Sequence, residues 1–246
     1  VGYNTATGVT QKHQLIFYAG EIQSVGFFPE INPGLTLWNK LGSASEAAGS
    51  TVGPSLNVLG SVTYKPAVYG NGIEITDSGY ATFPKAAINV LQGKGTVEFW
   101  FTPNFNSSET TSYGPYQYRG LLDCDSGSGP DRLLLGWNAG GLYFGAFPTS
   151  ALGSVSAANL SFQIGVPVHI ALVWDMVGIS GSADNVRLYI NGTLKSSYTG
   201  GVNGNPNFTE VHLGHHIAGF GNANGVFDNL KIYNRAKTDF SDRFTE

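Results

Sequence analysis

Two stretches decide the fold: Val186-Arg-Leu-Tyr-Ile-Asn-Gly-Thr-Leu-Lys195 and Gly225-Val-Phe-Asp-Asn-Leu-Lys-Ile-Tyr-Asn-Arg-Ala-Lys237. Each alternates apolar and polar residues, as a β-strand with one buried face does. Asn191-Gly192 predicts a two-residue hairpin turn, because both residues tolerate a positive φ angle. In the second stretch Asp228 alternates in step with Leu230 and Ile232, so an acidic residue is predicted on the apolar side of a strand.

Short alternating runs recur along the whole chain and are separated by residues typical of turns. No internal repeat or linker divides them, so we predict one all-β domain over residues 1–246, with an N-terminal arm at 1–12. Its strands form two antiparallel sheets packed face to face. Single helical turns are predicted at 45–48 and 85–89. The predicted strands are 13–18, 35–38, 62–69, 71–76, 79–83, 95–102, 119–123, 131–137, 141–147, 159–162, 167–174, 185–191, 194–198, 208–213 and 226–234.

Composition argues against several classes of protein. A formal net charge of −4 and the lack of a basic run argue against nucleic-acid binding, which needs clustered Lys and Arg. No apolar stretch approaches the roughly 20 residues of a transmembrane span. The single Cys124 cannot form an internal disulfide, so stability must come from packing. Low Lys content and loops rich in Asn, Ser, Thr and Gly indicate an extracellular or surface-associated protein.

Five segments in consistent order resemble the laminin-G-like, concanavalin A-like jelly roll. They are the two stretches above and three earlier ones, Gly70–Pro84, Gly95–Pro103 and Pro167–Asp175. The resemblance covers residues 60–240 and implies a two-sheet antiparallel β-sandwich. The family is mostly a binding fold that includes lectins, adhesion modules and some hydrolases, so the fold leaves function open.

The resemblance implies a calcium site at Asp228. In bacterial β-glucanases of this superfamily, the matching Asp binds a structural Ca²⁺ together with backbone carbonyl oxygens, which are ligands that calcium prefers. Here the carbonyls are expected near residues 20–21 and 70–72. A metal would compensate a charge that is otherwise costly to bury. The alternative is an Asp at the end of a strand, hydrogen-bonded to amides of a turn.

Candidate ligand-binding residues lie in loops that are rich in aromatic and amide side chains. Sugars stack on aromatic rings while polar groups bond their hydroxyls, so such loops suit a carbohydrate. The alternative is that the aromatic residues pin long loops to the sandwich. The candidates are Tyr113, Tyr116, Tyr118, Trp137, His215, His216, Phe220 and Asn222.

Two further segments suggest metal binding. His212-Leu-Gly-His-His216 invites a zinc interpretation, but without Cys or Glu at fixed spacing a polar loop or sugar contacts are favoured. Asp123-Cys-Asp-Ser-Gly-Ser-Gly-Pro-Asp131 places three carboxylates in one loop that could wrap a cation. It does not match the EF-hand pattern, and an ordinary solvated hairpin is favoured.

The sequence favours a protein that is not an enzyme. Hydrolases of this fold carry Glu-x-Asp-x-x-Glu on one strand, which sets two carboxylates on one face, and no such motif occurs. Glu74 and Asp77 fall on opposite faces of a strand, and Glu98 stands alone in its strand. His169 resembles the family's usual His on that strand, whose implied role is structural.

These observations predict a non-catalytic carbohydrate-binding or adhesion module of an extracellular or surface protein, stabilised by calcium. Its partners would be a glycan or a cell-surface or assembly protein. One alternative is a structural subunit or interaction domain of a virion, filament or cell-surface assembly, since a jelly roll also serves as a building block. The other is a polysaccharide-degrading enzyme with an unrecognised site.

Overall fold

The computed structural model describes most of the chain and divides it into two compact units, Val1–Gly34 and Leu35–Glu246. From the sequence, the same residues were predicted to form one domain with an N-terminal arm at 1–12. The first unit contains two hairpins, β1 (Tyr3–Asn4) with β2 (Gln11–Lys12) and β3 (Ile16–Tyr18) with β4 (Glu21–Gln23). The structure describes these four strands and residues 33–76, 78–88, 93–107, 118–124, 132–138, 141–147, 153–156, 160, 162–203, 205–217 and 221–245.

The second unit is built on two antiparallel sheets, one of eight strands and one of seven. In the eight-stranded sheet one strand, β5 (Leu35–Asn39), lies off the main order and pairs with β19 (Gly225–Tyr233). The spatial order of the others is β17 (Thr193–Tyr198), β16 (Val186–Ile190), β15 (Val168–Asp175), β10 (Lys94–Pro103), β19, β8 (Asn71–Ile75) and β7 (Thr63–Pro66).

The seven-stranded sheet packs against the first and completes the sandwich. The predicted helical turns are present as α1 (Ala44–Ala48) and a 3-10 turn at Lys85–Ala87. This architecture confirms the predicted two-sheet antiparallel β-sandwich. The spatial order of the strands is β14 (Gly153–Ser156), β13 (Gly141–Ala146), β12 (Leu133–Asn138), β11 (Tyr118–Cys124), β18 (Glu210–Leu213), β9 (Tyr80–Pro84) and β6 (Asn57–Leu59).

The core lies between the sheets because alternate residues of each strand face inward. On β18, Val211 and Leu213 join the core while His212 points to the outer face. On β10, Phe99 and Phe101 pack against Phe227 of β19, with ring centroids 5.4 and 4.9 Å away. Full burial of one such side chain stabilises the fold by about 1.5–3 kcal/mol.

A β-bulge in β19 reverses part of the predicted alternation. Between the pairs Glu98–Lys231 and Trp100–Asp228, β19 has one residue more than β10, and Asn229 there has φ of 53°. Leu230 therefore faces the core, while Asp228 lies beside Trp100 on the outer face. The prediction that Asp228 shares the apolar face of Leu230 is wrong, because the extra residue shifts the register by one.

Local sequence signals account for most strands but not for all. The Asn191-Gly192 turn is confirmed, with φ angles of 53° and 77° between β16 and β17. Of the predicted strand at 159–162, Leu160 and Phe162 are buried and lie outside any strand, while residues 159 and 161 fall outside the described residues. The short edge strands β6 and β14 carry too little alternation to be predicted.

The C-terminal segment crosses the outer face of the eight-stranded sheet, and we call residues 234–245 the C-terminal strap. Phe240 packs on Tyr189 and His169, with ring centroids 4.9 and 5.6 Å away. The backbone carbonyl of Arg243 accepts a hydrogen bond of 3.1 Å from the Trp100 indole nitrogen. The strap therefore covers the outer side of strands β10, β15 and β16.

Candidate ligand-binding face

The loop after β18 folds back over the outer face of the seven-stranded sheet at Gly120. A Cβ atom at Gly120 would lie 2.4 Å from the backbone nitrogen of His216, so only glycine fits beneath this loop. Asn222 forms single β-bridges, outside the named strands, with both Gly120 and His215. Three residues predicted to bind ligand, His215, His216 and Asn222, are thus brought together on one face.

Asp123 and Arg132 anchor this loop from below. Asp123 is fully buried at the end of β11, and its two carboxylate oxygens accept hydrogen bonds from Arg132 Nε and Nη2 at 3.1 and 3.0 Å. The Ile217 amide donates to the same carboxylate at 3.3 Å. Because Asp123 is engaged in this way, it serves as a structural anchor, and residues 125–131 of the proposed cation loop lie outside the described residues.

His216 takes part in the same anchor. Its Nε2 lies 2.6 Å from Arg132 Nη2, and the ring is 5% exposed. Burial and the neighbouring Arg132 charge lower the pKa of His216 to about 4, against the opposing pull of the Asp123 carboxylate. The ring is therefore neutral at pH 7 and accepts the Arg132 hydrogen bond, so His216 positions the loop beneath the surface.

Tyr80, His212 and His215 form a stacked aromatic cluster on the outer face. The Tyr80 ring lies 5.1 Å from that of His212 and 4.6 Å from that of His215, with planes within 22° of parallel. Nδ1 of His212 lies 3.3 Å from Nδ1 of His215, and its Nε2 lies 3.1 Å from Glu210 Oε1. A carboxylate only accepts, so we assign the Nε2 proton to His212, whose Nδ1 then accepts from His215.

The ring nitrogens of His212 and His215 form a hydrogen-bond chain with Glu210. Two of the ring nitrogens face each other, and a third is bonded to Glu210. Burial and the neighbouring His212 both lower the pKa of His215, so the neutral form of the His215 ring is favoured. Within the described parts of the chain, no group of three or more His, Cys, Asp or Glu side chains is placed to hold a metal ion.

A shallow cavity of about 260 Å³ continues from the aromatic cluster toward β6. The strand register places the cavity next to the aromatic cluster, because Asn57, Thr82 and His212 are direct neighbours across β6, β9 and β18. Thr82 is buried, whereas Asn57 and Thr209 are exposed. We call the cluster and cavity together the outer-face site, which is formed by Ser55, Asn57, Tyr80, Thr82, Thr209, Glu210, His212 and His215.

Tyr80, Thr82 and Glu210 were not among the ligand-binding residues predicted from the sequence. The alternation of Tyr80-Ala-Thr-Phe83 shows that Tyr80 and Thr82 share one face of a strand. It does not show that this strand lies beside β18, which comes more than a hundred residues later in the sequence. Only the pairing of β9 with β18 brings these residues to the histidines.

The other predicted ligand residues have different positions. Trp137 is 3% exposed and packs against Phe105 and Phe162 at 5.9 and 5.6 Å, so the structure assigns it to the core. Tyr118 begins β11, although its side chain lies outside the described part of the structure. Tyr113, Tyr116 and Phe220 also fall outside the described residues.

Asp228 is buried on the opposite sheet and already has an amide partner. Its Oδ2 accepts a hydrogen bond of 2.8 Å from the Tyr69 backbone nitrogen, as the turn-amide interpretation expects. Beside it, a cavity of about 620 Å³ is lined by Lys40, Glu46, Gly70 and others. The carbonyls expected near residues 70–72 belong to the turn after Tyr69 and the start of β8, whereas the expected residues 20–21 belong to the other unit.

Glu98 lies in a buried network beneath the C-terminal strap. Lys237 Nζ contacts its carboxylate oxygens at 2.9 and 3.1 Å, and Tyr233 donates a hydrogen bond at 3.1 Å. His169 Nε2 lies 3.6 Å from Glu98. Burial by itself would raise the pKa of Glu98, but His169 and the Lys237 charge outweigh it and lower the value to about 2. The network pins the strap to the sheet, which agrees with the structural role expected for His169.

Fold and sequence together define the class of protein. A family model described as the concanavalin A-like lectin/glucanases superfamily matches residues 76–240. The chain belongs to this superfamily, which confirms the resemblance found in the sequence. A search of curated proteins found no match. Among the described residues, none of the helices has the length and apolar character needed to cross a membrane.

Solved structures with the same fold include several binding domains. Domain 4 of AbnA, a GH43 extracellular arabinanase from Geobacillus stearothermophilus solved with arabinotriose, is 17% identical with a TM-score of 0.56, over 86% of this chain and 96% of that one. The binding domain of botulinum neurotoxin DC, solved with SialylT, is 14% identical with a TM-score of 0.58, over 84% of this chain and 49% of that one.

A catalytic protein also shares the fold. Trypanosoma rangeli sialidase, solved with the inhibitor DANA, is 13% identical with a TM-score of 0.54, over 84% of this chain and 31% of that one. This chain thus spans about half of the toxin binding domain and less of the sialidase. At these identities the similarity establishes the fold alone, so function has to be argued from the site.

Proposed function

We propose that this protein is a non-catalytic carbohydrate-binding module that binds glycans at the outer-face site. The observation that carries the proposal is the stack of Tyr80 on His212 and His215 beside a cavity whose lining includes Asn57 and Glu210. An aromatic surface next to a few fixed polar groups suits a sugar, whose C–H face stacks while its hydroxyls are bonded. Asn57 and Glu210 supply such polar groups.

Replacing Tyr80 tests this proposal. We expect Tyr80→Ala to weaken glycan binding about tenfold, since an aromatic contact contributes roughly 0.5–1.5 kcal/mol beyond its buried area. Binding would be measured on a broad glycan array and then by calorimetry with the best ligand. The matched control is Tyr64→Ala, which removes a half-buried tyrosine from β7 in the other sheet.

Two results would contradict the proposal. One is that the folded wild-type protein binds no glycan on the array. The other is binding that Tyr80→Ala and Tyr64→Ala weaken equally, which would place the ligand elsewhere. Melting curves of both variants keep a folding defect from being mistaken for lost recognition.

Calcium binding at Asp228 is a second part of the proposal. It is supported by a buried carboxylate beside a turn whose carbonyl oxygens are ligands that calcium accepts. We expect a chelator to lower the melting temperature of the wild type, because an ion that binds only the folded state stabilises it. Asp228→Asn keeps an acceptor for the Tyr69 amide but loses the charge, so this variant should not respond. A wild type that is insensitive to chelator would disprove the calcium site.

The absence of catalysis and the extracellular or surface setting also belong to the proposal. At the outer-face site, Asp123 is buried in its ion pair with Arg132, which leaves Glu210 without a second accessible carboxylate among the described residues of that face. Glycoside hydrolysis by the common retaining and inverting mechanisms needs two carboxyl groups. To test for catalysis, the protein would be incubated with a panel of polysaccharides, and we expect no release of reducing ends. To test its location, the producing cells would be fractionated, and we expect the protein at the cell surface or outside the cell.

A further inference from the structure

We infer that the outer-face site prefers neutral glycans over acidic ones and that Glu210 sets this preference. The inference rests on the proposed function and adds the chemical class of the ligand. Glu210 lies beside Asn57, Thr82 and Thr209 along the cavity, and its side chain is 43% exposed. At neutral pH it places a negative charge where the sugar would lie.

Basic side chains near the site are engaged with other groups. Arg132 is bonded to the Asp123 carboxylate through two nitrogens, and its side chain is 17% exposed. Lys85 donates to the Pro206 carbonyl, and its ammonium group lies 5.1 Å from the Phe208 ring centroid. Asp123 balances the Arg132 charge, the Lys85 ammonium is turned to the Pro206 carbonyl and the Phe208 ring, and Glu210 is the charged residue among the described residues that line the cavity.

His215 does not reverse this balance at neutral pH. His215 donates its Nδ1 proton to His212. Burial and the neighbouring His212 ring oppose a positive charge on His215. His212 in turn donates to Glu210. This contact leaves the second oxygen of the carboxylate available to accept a hydroxyl proton, and a hydrogen bond to a charged acceptor is stronger than one between neutral groups.

The same carboxylate disfavours a sugar acid. Two like charges about 5 Å apart repel by roughly 0.8 kcal/mol even at the dielectric constant of water, which corresponds to about a fourfold loss of affinity. Partial desolvation in the cavity increases the effect, while salt reduces it. A neutral pyranose gains a charge-assisted hydrogen bond at the position where a uronate or sialate meets repulsion.

Matched ligand pairs provide the test. An array would carry neutral and acidic forms of one skeleton, namely methyl-esterified and free oligogalacturonides, and the methyl ester and free acid of sialyllactose, within a broad set of plant and animal glycans. Wild type is compared with Glu210→Gln, which keeps an acceptor for His212 but removes the charge. The control is Asp239→Asn in the C-terminal strap, which makes the same charge change on the other sheet.

We expect wild type to bind neutral forms at least about fourfold more tightly than acidic ones at low salt. Glu210→Gln should bring this ratio close to one, and Asp239→Asn should leave it unchanged. A wild type that binds acidic forms equally well, or a ratio unaffected by Glu210→Gln, overturns the inference while the proposed function stands. If no glycan binds at all, the proposed function fails and the inference fails with it.

Discussion

Three histidines in five residues differ in role because their ring partners differ. His216 is buried and bonded to Arg132, so it holds the loop in place. His212 is hydrogen-bonded to Glu210 and stacks on the Tyr80 ring. His215 is partly exposed and completes the aromatic surface. The local sequence does not distinguish the three, because Arg132 comes from a strand that is distant in sequence.

The depressed pKa of His216 predicts a pH-dependent stability. Its folded value of about 4 lies below the reference value of 6.5, so unfolding takes up a proton between these two pH values. The stabilisation is complete above pH 6.5 and is lost as the pH falls toward 4. We expect a loss of about 1–3 kcal/mol in the free energy of unfolding, measured by urea denaturation from pH 7.5 to 4.5.

His216→Gln provides the comparison, because Gln offers an acceptor to Arg132 but does not titrate. The variant should show a flatter pH dependence over the same range, with a remainder from His215, whose pKa is also lowered. Glu98 contributes little over this range, since its stabilisation is lost mainly as the pH falls from its reference value of 4.5 to its folded pKa of about 2. An equally steep profile in His216→Gln would refute this assignment.

At the scale of elements, the C-terminal strap depends on one buried ion pair. Lys237 reaches Glu98 beneath the strap and also lies 2.8 Å from Asp242 within it. Lys237 and Glu98 are each 2% exposed. Neither charge is stable there without the other, since a buried charge needs a partner to compensate its lost hydration.

Removing the Lys237 charge should therefore destabilise the protein strongly. We expect Lys237→Met to lower the free energy of unfolding by about 3–5 kcal/mol, because Glu98 would remain buried without its ammonium partner. The double variant Lys237→Met with Glu98→Gln should recover part of the loss. Chemical denaturation of both variants measures the effect, and a double variant no more stable than the single one would count against the ion-pair explanation.

At the scale of the whole molecule, both sheets and their shared core come from Leu35–Glu246. We expect a chain lacking residues 1–34 to fold, to melt within a few degrees of the full chain and to keep its glycan binding. Calorimetry and the same array would measure these properties. A truncated chain that fails to fold would show that the first unit contributes to the sandwich.

The sequence by itself determined most of the strands, the Asn191-Gly192 turn and the class of sandwich. Alternation along β16, the Asn191-Gly192 turn and the helical turn near 45–48 all depend on residues close in sequence, which is why they could be predicted. His215, His216 and Asn222 lie near one another for the same reason, since one loop carries all three.

Only the tertiary structure decided which face and which partners these residues have. One extra residue at Asn229 moved Asp228 to the outer face, because side chains in a strand alternate with a period of two. Pairing of β9 with β18 brought Tyr80 to the histidines, and packing of Phe105 and Phe162 placed Trp137 in the core. Strand pairing joins residues far apart in sequence, so the site exists only once the sheets have formed.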